Sequence, residues 1–220
     1  MRRTPLRALL ACAAVLTAAG LAAVAEDKKA DDGFTPVFNG RDFTGWKFVV
    51  QGDADPKKTW SVQDGVIVCT GKPNGYFYTD KSYKNYVIRY DWQYKRPANL
   101  TDDSKFPGNS GCLVHIQPPH RVWPKCVEVQ GMNRDHGKII FVGFKGATEK
   151  YDREAKNRAT KPVGQWNTTE ITCKPDGTVT AKINGTPVSS GKSELTEGVI
   201  GFQSEGAEIH FKNIKLKQLP

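Results

Sequence analysis

From Phe34 onward, apolar and polar residues alternate in short runs, and Gly, Pro, Asn or Asp breaks each run. The runs at 59–62, 65–70, 76–79, 86–94, 111–117, 125–130, 138–144, 166–174, 178–183, 198–203 and 208–216 are rich in Val, Ile, Tyr, Phe, Trp and Thr. That composition predicts a β-strand at each. Asp64-Gly65, Asn74-Gly75, Asp176-Gly177 and Asn184-Gly185 supply tight-turn signals between them. The run 151–159, YDREAKNRA, resembles a helix, but it is polar all round. It is expected to be a surface loop or a single turn. Many short strands without alternating helices predict an all-β protein, best described as a jelly-roll β-sandwich.

Period-two alternation also sorts residues onto faces. In YVIRYDWQY, Ile88, Tyr90, Trp92 and Tyr94 share one face and read as core. In 109–131, NSGCLVHIQPPHRVWPKCVEVQG, the apolar set is Cys112, Val114, Ile116, Val127 and Val129. The opposite face carries Leu113, His115 and Gln117 on one strand and Cys126, Glu128 and Gln130 on the next. Pairing Gln117 with Cys126 would set His115 opposite Glu128, with all apolar residues on one side. The same register separates Cys112 from Cys126, so no bridge between them is expected. The expected result is a polar patch of His115, Gln117, Glu128 and Gln130. Trp123 in the loop above it, and Asp135 and His136 just beyond, would join it. Carboxylates, amides and aromatic rings together suit a sugar, and His and Glu suit proton transfer. The competing reading is an ordinary solvated sheet face with a His–Glu cross-strand pair. A metal held by His115, Glu128, Asp135 and His136 matches no standard ligand spacing, so no metal is assigned and a divalent cation stays an alternative.

The first 25 residues change the picture of where this domain works. MRRTPLR is basic, an Ala-rich apolar stretch follows, and Ala23-Val24-Ala25 offers small residues for cleavage. This is the pattern of a bacterial secretory signal cleaved near Ala25, giving a secreted or periplasmic protein with no membrane insertion afterwards. Residues 26–33 read as a flexible polar leader, and 34–220 as a single domain. Of the formal charge of +9, three units belong to Arg2, Arg3 and Arg7. The rest is spread along the chain without a dense basic block, so nucleic-acid binding is not expected. Cys69, Cys112, Cys126 and Cys173 lie within predicted strands, where disulfides and buried thiols are equally good readings.

Several segments taken in order carry a family resemblance: VFNGRDFTGW, NSG at 109–111, VEVQ at 127–130, GQWN at 164–167, ING at 183–185 and GVIGFQSEGAEIHFKNIKL at 198–216. Together they resemble the 3-keto-disaccharide hydrolase family over nearly the whole mature chain. The resemblance implies a concanavalin A-like jelly roll and a substrate class of glycosides already oxidised to a ketone at C3. Such a ketone acidifies the C2 proton, so deprotonation, elimination of the C1 substituent and rehydration would replace the usual glycosidase route. It implies Asn109, Ser110 and Gly111 for the family's NSG, Glu128 and Gln130 for its E-x-Q, and Gln203 and Gly206 for its late Q-x-x-G. His115 stands where an arginine is expected, Asn133 where many members carry aspartate, and Glu205 where many carry histidine.

The expected function is therefore a carbohydrate-active hydrolase. Glu128, His115 and Glu205 are the expected catalytic groups. Asn109, Gln117, Gln130, Trp123, Asp135, His136 and Gln203 are the expected sugar contacts. The alternative is a non-catalytic, lectin-like sugar-binding module of the same fold, in which Trp123 and Trp46 would matter more than Glu128.

Overall fold

A computed structural model describes residues 32–220 of the chain. The expected secretory signal and most of the expected polar leader lie outside the described residues. Each predicted strand run forms a strand, because each offers one apolar face for burial and ends at a turn residue. At Asn184-Gly185, φ values of 48° and 83° make the tight turn that the Asn-Gly pair predicts.

One sheet is built from β1 (Thr35–Pro36), β3 (Trp60–Gln63), β4 (Val66–Cys69), β7 (Tyr86–Tyr94), β11 (Ala147–Tyr151), β12 (Asn167–Cys173), β13 (Thr178–Ile183), β14 (Thr186–Lys192) and β16 (Ile209–Gln218). Its order is β11-β14-β13-β12-β7-β16-β4-β3, with β1 added beside β16. The second sheet is built from β2 (Trp46–Val50), β5 (Gly75–Thr79), β6 (Tyr83–Lys84), β8 (Gly111–Ile116), β9 (Cys126–Gln130), β10 (Ile139–Val142) and β15 (Glu197–Ser204). Its order is β10-β9-β8-β15-β5-β2, with β6 pairing to β15. All strand pairs within the sheets are antiparallel. This is a jelly-roll β-sandwich.

The core lies between the sheets. Ile88, Tyr90, Trp92 and Tyr94 of β7 face Phe77, Val114, Val127 and Phe202 of the other sheet, all buried. Trp46 belongs to this core, its indole N–H donating to the Val37 carbonyl at 3.2 Å, so it offers no sugar platform. All four described cysteines are buried free thiols, and Cys112 and Cys126 point to opposite faces as expected.

Two expectations need correction. The run 151–159 contains a true helix, α1 (Arg153–Ala159). Asp152 caps it by accepting from the Ala155 amide at 2.8 Å, Ala155 is buried, and Lys156 reaches in to donate to the Asn133 carbonyl at 2.6 Å. A cap and one buried ammonium thus replace the missing apolar stripe. The second correction is the β8–β9 register. Leu113, not His115, lies opposite Glu128, and Gly111 lies opposite Gln130. This register is two residues from the expected one, and β8 also carries a β-bulge against β15: Ile116 pairs with Val199 but Leu113 pairs with Gly201, so two residues of β8 face Ile200 alone. His115 is the extra residue, held at a φ of 56°.

Candidate active site

The bulge determines which polar residues meet. Before it, alternation runs as expected and Leu113 faces away from the core; after it, Ile116 faces the same way. His115 itself turns inward. It is fully buried, its ring edge-on to Tyr86 at 5.7 Å, with Nδ1 2.9 Å from the Leu195 carbonyl oxygen. Desolvation pulls its pKa down to about 4, so it is a neutral imidazole. The structure therefore does not bring His115 to Glu128. Gln117 also moves away: its amide donates to the carbonyls of His115 and Glu197 at 2.9 and 2.7 Å and ties the strand end together.

Glu128 and Gln130 keep the expected face. Gln130 accepts from the Met132 amide at 2.8 Å. Glu128 is 7% exposed and its Oε1 is buried without a hydrogen-bond partner. Burial, reinforced by the nearby Glu205 carboxylate, raises the Glu128 pKa to about 8. Glu205 is half-buried and also raised by desolvation, while a hydrogen bond from Asn109 acts the other way. An isolated bridge between Asn109 and Glu205 brings those two segments together.

β15 and β5 complete the patch. Gln203 pairs with Tyr76, and one residue before it Phe202 pairs with Cys112, which sets Gln203 beside Gly111. A Cβ on Gly111 would lie 2.6 Å from Glu128 Oε1 and 3.2 Å from Gln203 Oε1. The absent side chain thus makes room for both groups. Gln203 Oε1, Tyr76 Oη and Asn109 Oδ1 are each buried and without a hydrogen-bond partner, as Glu128 Oε1 is. Desolvation raises the Tyr76 pKa, so its phenol stays protonated and can donate. Tyr76, Tyr78, Leu113, Ile116 and Cys126 form an apolar cluster on this same face. One sheet face therefore carries two carboxyl groups, amide acceptors, a phenol donor and an apolar floor.

Other expected site residues lie elsewhere. His136 is buried between the sheets, stacked on Trp92 at 3.9 Å, with Nε2 3.1 Å from Thr169 Oγ1 and a pKa pulled down by burial to about 3. Asp135 forms ion pairs with Arg134 and Arg153 at 3.2 and 2.7 Å, next to α1. Trp123 is exposed on the loop between β8 and β9. Asn133 donates to the Asp103 carbonyl at 2.7 Å and so fastens a neighbouring loop. Among the described residues, no group of three or more His, Cys, Asp or Glu is placed to hold a metal. Tyr76 is the site residue that sequence reasoning missed. Its signal was present in GYFYT: with Phe77 in the core, period two sends Tyr76 and Tyr78 to the opposite face.

The chain resembles known proteins along almost this entire sandwich. A Bacteroides thetaiotaomicron protein named 3-keto-disaccharide hydrolase is 24% identical over 234 aligned positions, covering 86% of this chain and 79% of that one. A crystal structure from Parabacteroides distasonis, with a provisional glycosyl-hydrolase designation, is 30% identical, with a TM-score of 0.60, covering 86% of this chain and 94% of that one. The carbohydrate-binding module CBM66 from Bacillus subtilis shares the fold at 14% identity, with a TM-score of 0.55 and coverage of 81% and 98%. The family described as 3-keto-alpha-glucoside-1,2-lyase-like domains matches residues 33–217. The chain belongs to that family.

Proposed function

We propose that this protein is an exported enzyme that cleaves 3-keto-glycosides, disaccharides included, by elimination across C1–C2 followed by hydration. The observation that carries this reading is the set of buried, unpartnered polar atoms on one sheet face: Glu128 Oε1, Gln203 Oε1, Asn109 Oδ1 and Tyr76 Oη. Leaving such atoms unpaired costs on the order of 1–3 kcal/mol each, which a hydroxylated ligand would offset.

The two carboxyl groups divide the proton work. Glu128, the more buried, holds its proton at neutral pH. Glu205, less buried and steadied by Asn109, is the one that ionises first. Glu205 removes the C2 proton, and the electron pair moves into an enolate whose C3 oxygen accepts a hydrogen bond from Tyr76. Collapse of the enolate restores the C3 ketone, forms the C1–C2 double bond and breaks the C1–O bond. Glu128 gives its proton to the departing oxygen. Water then adds at C1, losing a proton to Glu128, while Glu205 returns a proton to C2. Asn109 and Gln203 accept from sugar hydroxyls. The family membership and the relative named 3-keto-disaccharide hydrolase support this substrate class.

The test is turnover of 3-keto-glycosides beside their unoxidised parents, in D2O. Release from the keto compounds alone, with deuterium at C2 of the product, is the expected result. Glu128→Gln should lower kcat by about 10²–10⁴-fold. Equal cleavage of the parents, or product without deuterium, would sink the elimination route. Export is checked separately: N-terminal sequencing of the protein recovered outside the cytoplasm should begin near Glu26.

A further inference from the structure

Asn109 sits at the end of a long connection. β7 stops at Tyr94 and β8 starts at Gly111, and residues 95–110 between them hold one 3-10 turn, Asp103–Lys105. Yet the site needs the Asn109 amide in a single orientation. Its N–H side donates to the Glu205 carboxylate, while Oδ1 is buried without a partner and can accept from a ligand. A connection of this kind does not fix an amide by itself.

The segment just after β9 supplies the clamp. The Gly131 amide donates to the Ser110 carbonyl at 2.7 Å, and the Asn133 amide donates to the Gly108 carbonyl at 2.9 Å. These two main-chain bonds flank Asn109 and hold only the last residues of the connection. The Asn133 side chain reaches further back. Its Nδ2 donates to the Asp103 carbonyl at 2.7 Å and lies 3.4 Å from the Phe106 carbonyl oxygen. Phe106 is itself buried against Tyr94, with ring centroids 5.1 Å apart. Two carbonyl oxygens need donors, and one side-chain amide nitrogen carries two N–H groups. A carboxylate or a hydrocarbon in its place has none. The strand that carries Glu128 is thereby tied to the connection that carries Asn109.

We infer that Asn133 is a positioning residue of the site: its side-chain amide fixes the arm of the connection that presents Asn109, and so keeps Asn109 on Glu205. This rests on the function proposed above, in which Glu205 is the base. The titratable groups facing Glu205 are Glu128 from β9 and Tyr94 from β7, whose phenol burial keeps neutral. Asn109 is the donor that favours the charged form of Glu205. Once that donor drifts, Glu205 keeps its proton to a higher pH.

The test is the pH profile of kcat/KM on a 3-keto-glycoside for wild type, Asn133→Ala, Asn109→Ala and the double variant. Asn133→Ala should lower kcat/KM on the acid side about tenfold. It should also move the ascending limb to higher pH, the direction in which Asn109→Ala moves it. The double variant should be no worse than Asn109→Ala alone, because Asn133 acts through Asn109. Asn133→Leu keeps the bulk and loses the donors, so it should match Asn133→Ala. The position of the limb, unlike its height, does not depend on how much of a variant is folded. A uniform loss with the limb unmoved, or additive losses in the double variant, would overturn the inference and leave the proposed reaction standing. If wild-type protein turns over no 3-keto-glycoside, it is the proposed reaction that fails. The role of Asn133 is then decided by 13C NMR titration of the Glu205 carboxyl. A higher pKa in Asn133→Ala would support it, and an unchanged one would overturn it.

Discussion

At the scale of single residues, the protein turns on how burial treats its ionisable groups. Glu128 has apolar neighbours and a second carboxylate nearby, so its proton is held up to about pH 8. With Glu128 as the acid, kcat/KM on a 3-keto-glycoside should fall as pH rises through about 8, as its proton is lost. In Glu128→Gln the residual activity should lose that limb; an unchanged limb would assign it to another group. Glu128 and Gln130 were legible in the sequence because the strand parity of β9 is undisturbed. His115 was not, since one bulged residue reverses which side it faces, and a strict period-two reading carries no sign of that. His136 was misleading for another reason. Stacked on Trp92 and bonded to Thr169, it is a core residue, and a histidine looks the same in sequence whether it is buried or poised for chemistry.

At the scale of elements, α1 illustrates local structure set by a few specific contacts rather than by pattern. Its seven residues have no apolar stripe, yet Asp152 caps one end and Lys156 anchors the helix through the Asn133 carbonyl. Asp152→Ala should cost about 1 kcal/mol of unfolding free energy in urea denaturation. Turnover should be unaffected, since α1 contributes nothing to the Glu128 face. The strands were easier to read than α1 because each repeats one rule over several residues, with turn pairs such as Asn184-Gly185 as punctuation. The shorter or more polar strands, β1, β6, β11 and β14, offered weaker alternation and were missed. β2 was missed too, although WKFVV has the composition of a strand.

At the scale of the whole molecule, opposing titrations set a window of stability. The Glu128 pKa is higher folded than its usual 4.5, so the folded state binds the extra proton, and stability falls as pH rises from about 4.5 through about 8. His115 and His136 fall from 6.5 to about 4 and about 3, so their stabilisation is full above 6.5 and is lost as pH drops through those lower values. Urea denaturation across this range should therefore give a dome. Glu128→Gln should raise the alkaline side by a few kcal/mol and leave the acid side alone. A variant curve parallel to wild type at every pH would mean that Glu128 does not titrate in this range. A gain in stability from deleting the carboxyl would mark a group kept for chemistry at the expense of the fold.

The strand order also has a consequence for how the chain comes into being. β15 and β16 come latest in chain order among the described strands, yet β15 lies between β8 and β5, and β16 lies between β7 and β4. Until both emerge from the ribosome, each sheet is two fragments with open edges and one unpaired strand, β1 or β6, and Gln203 and Glu205 have not joined Glu128. Closing the two sheets and assembling the Glu128 row are thus a single event.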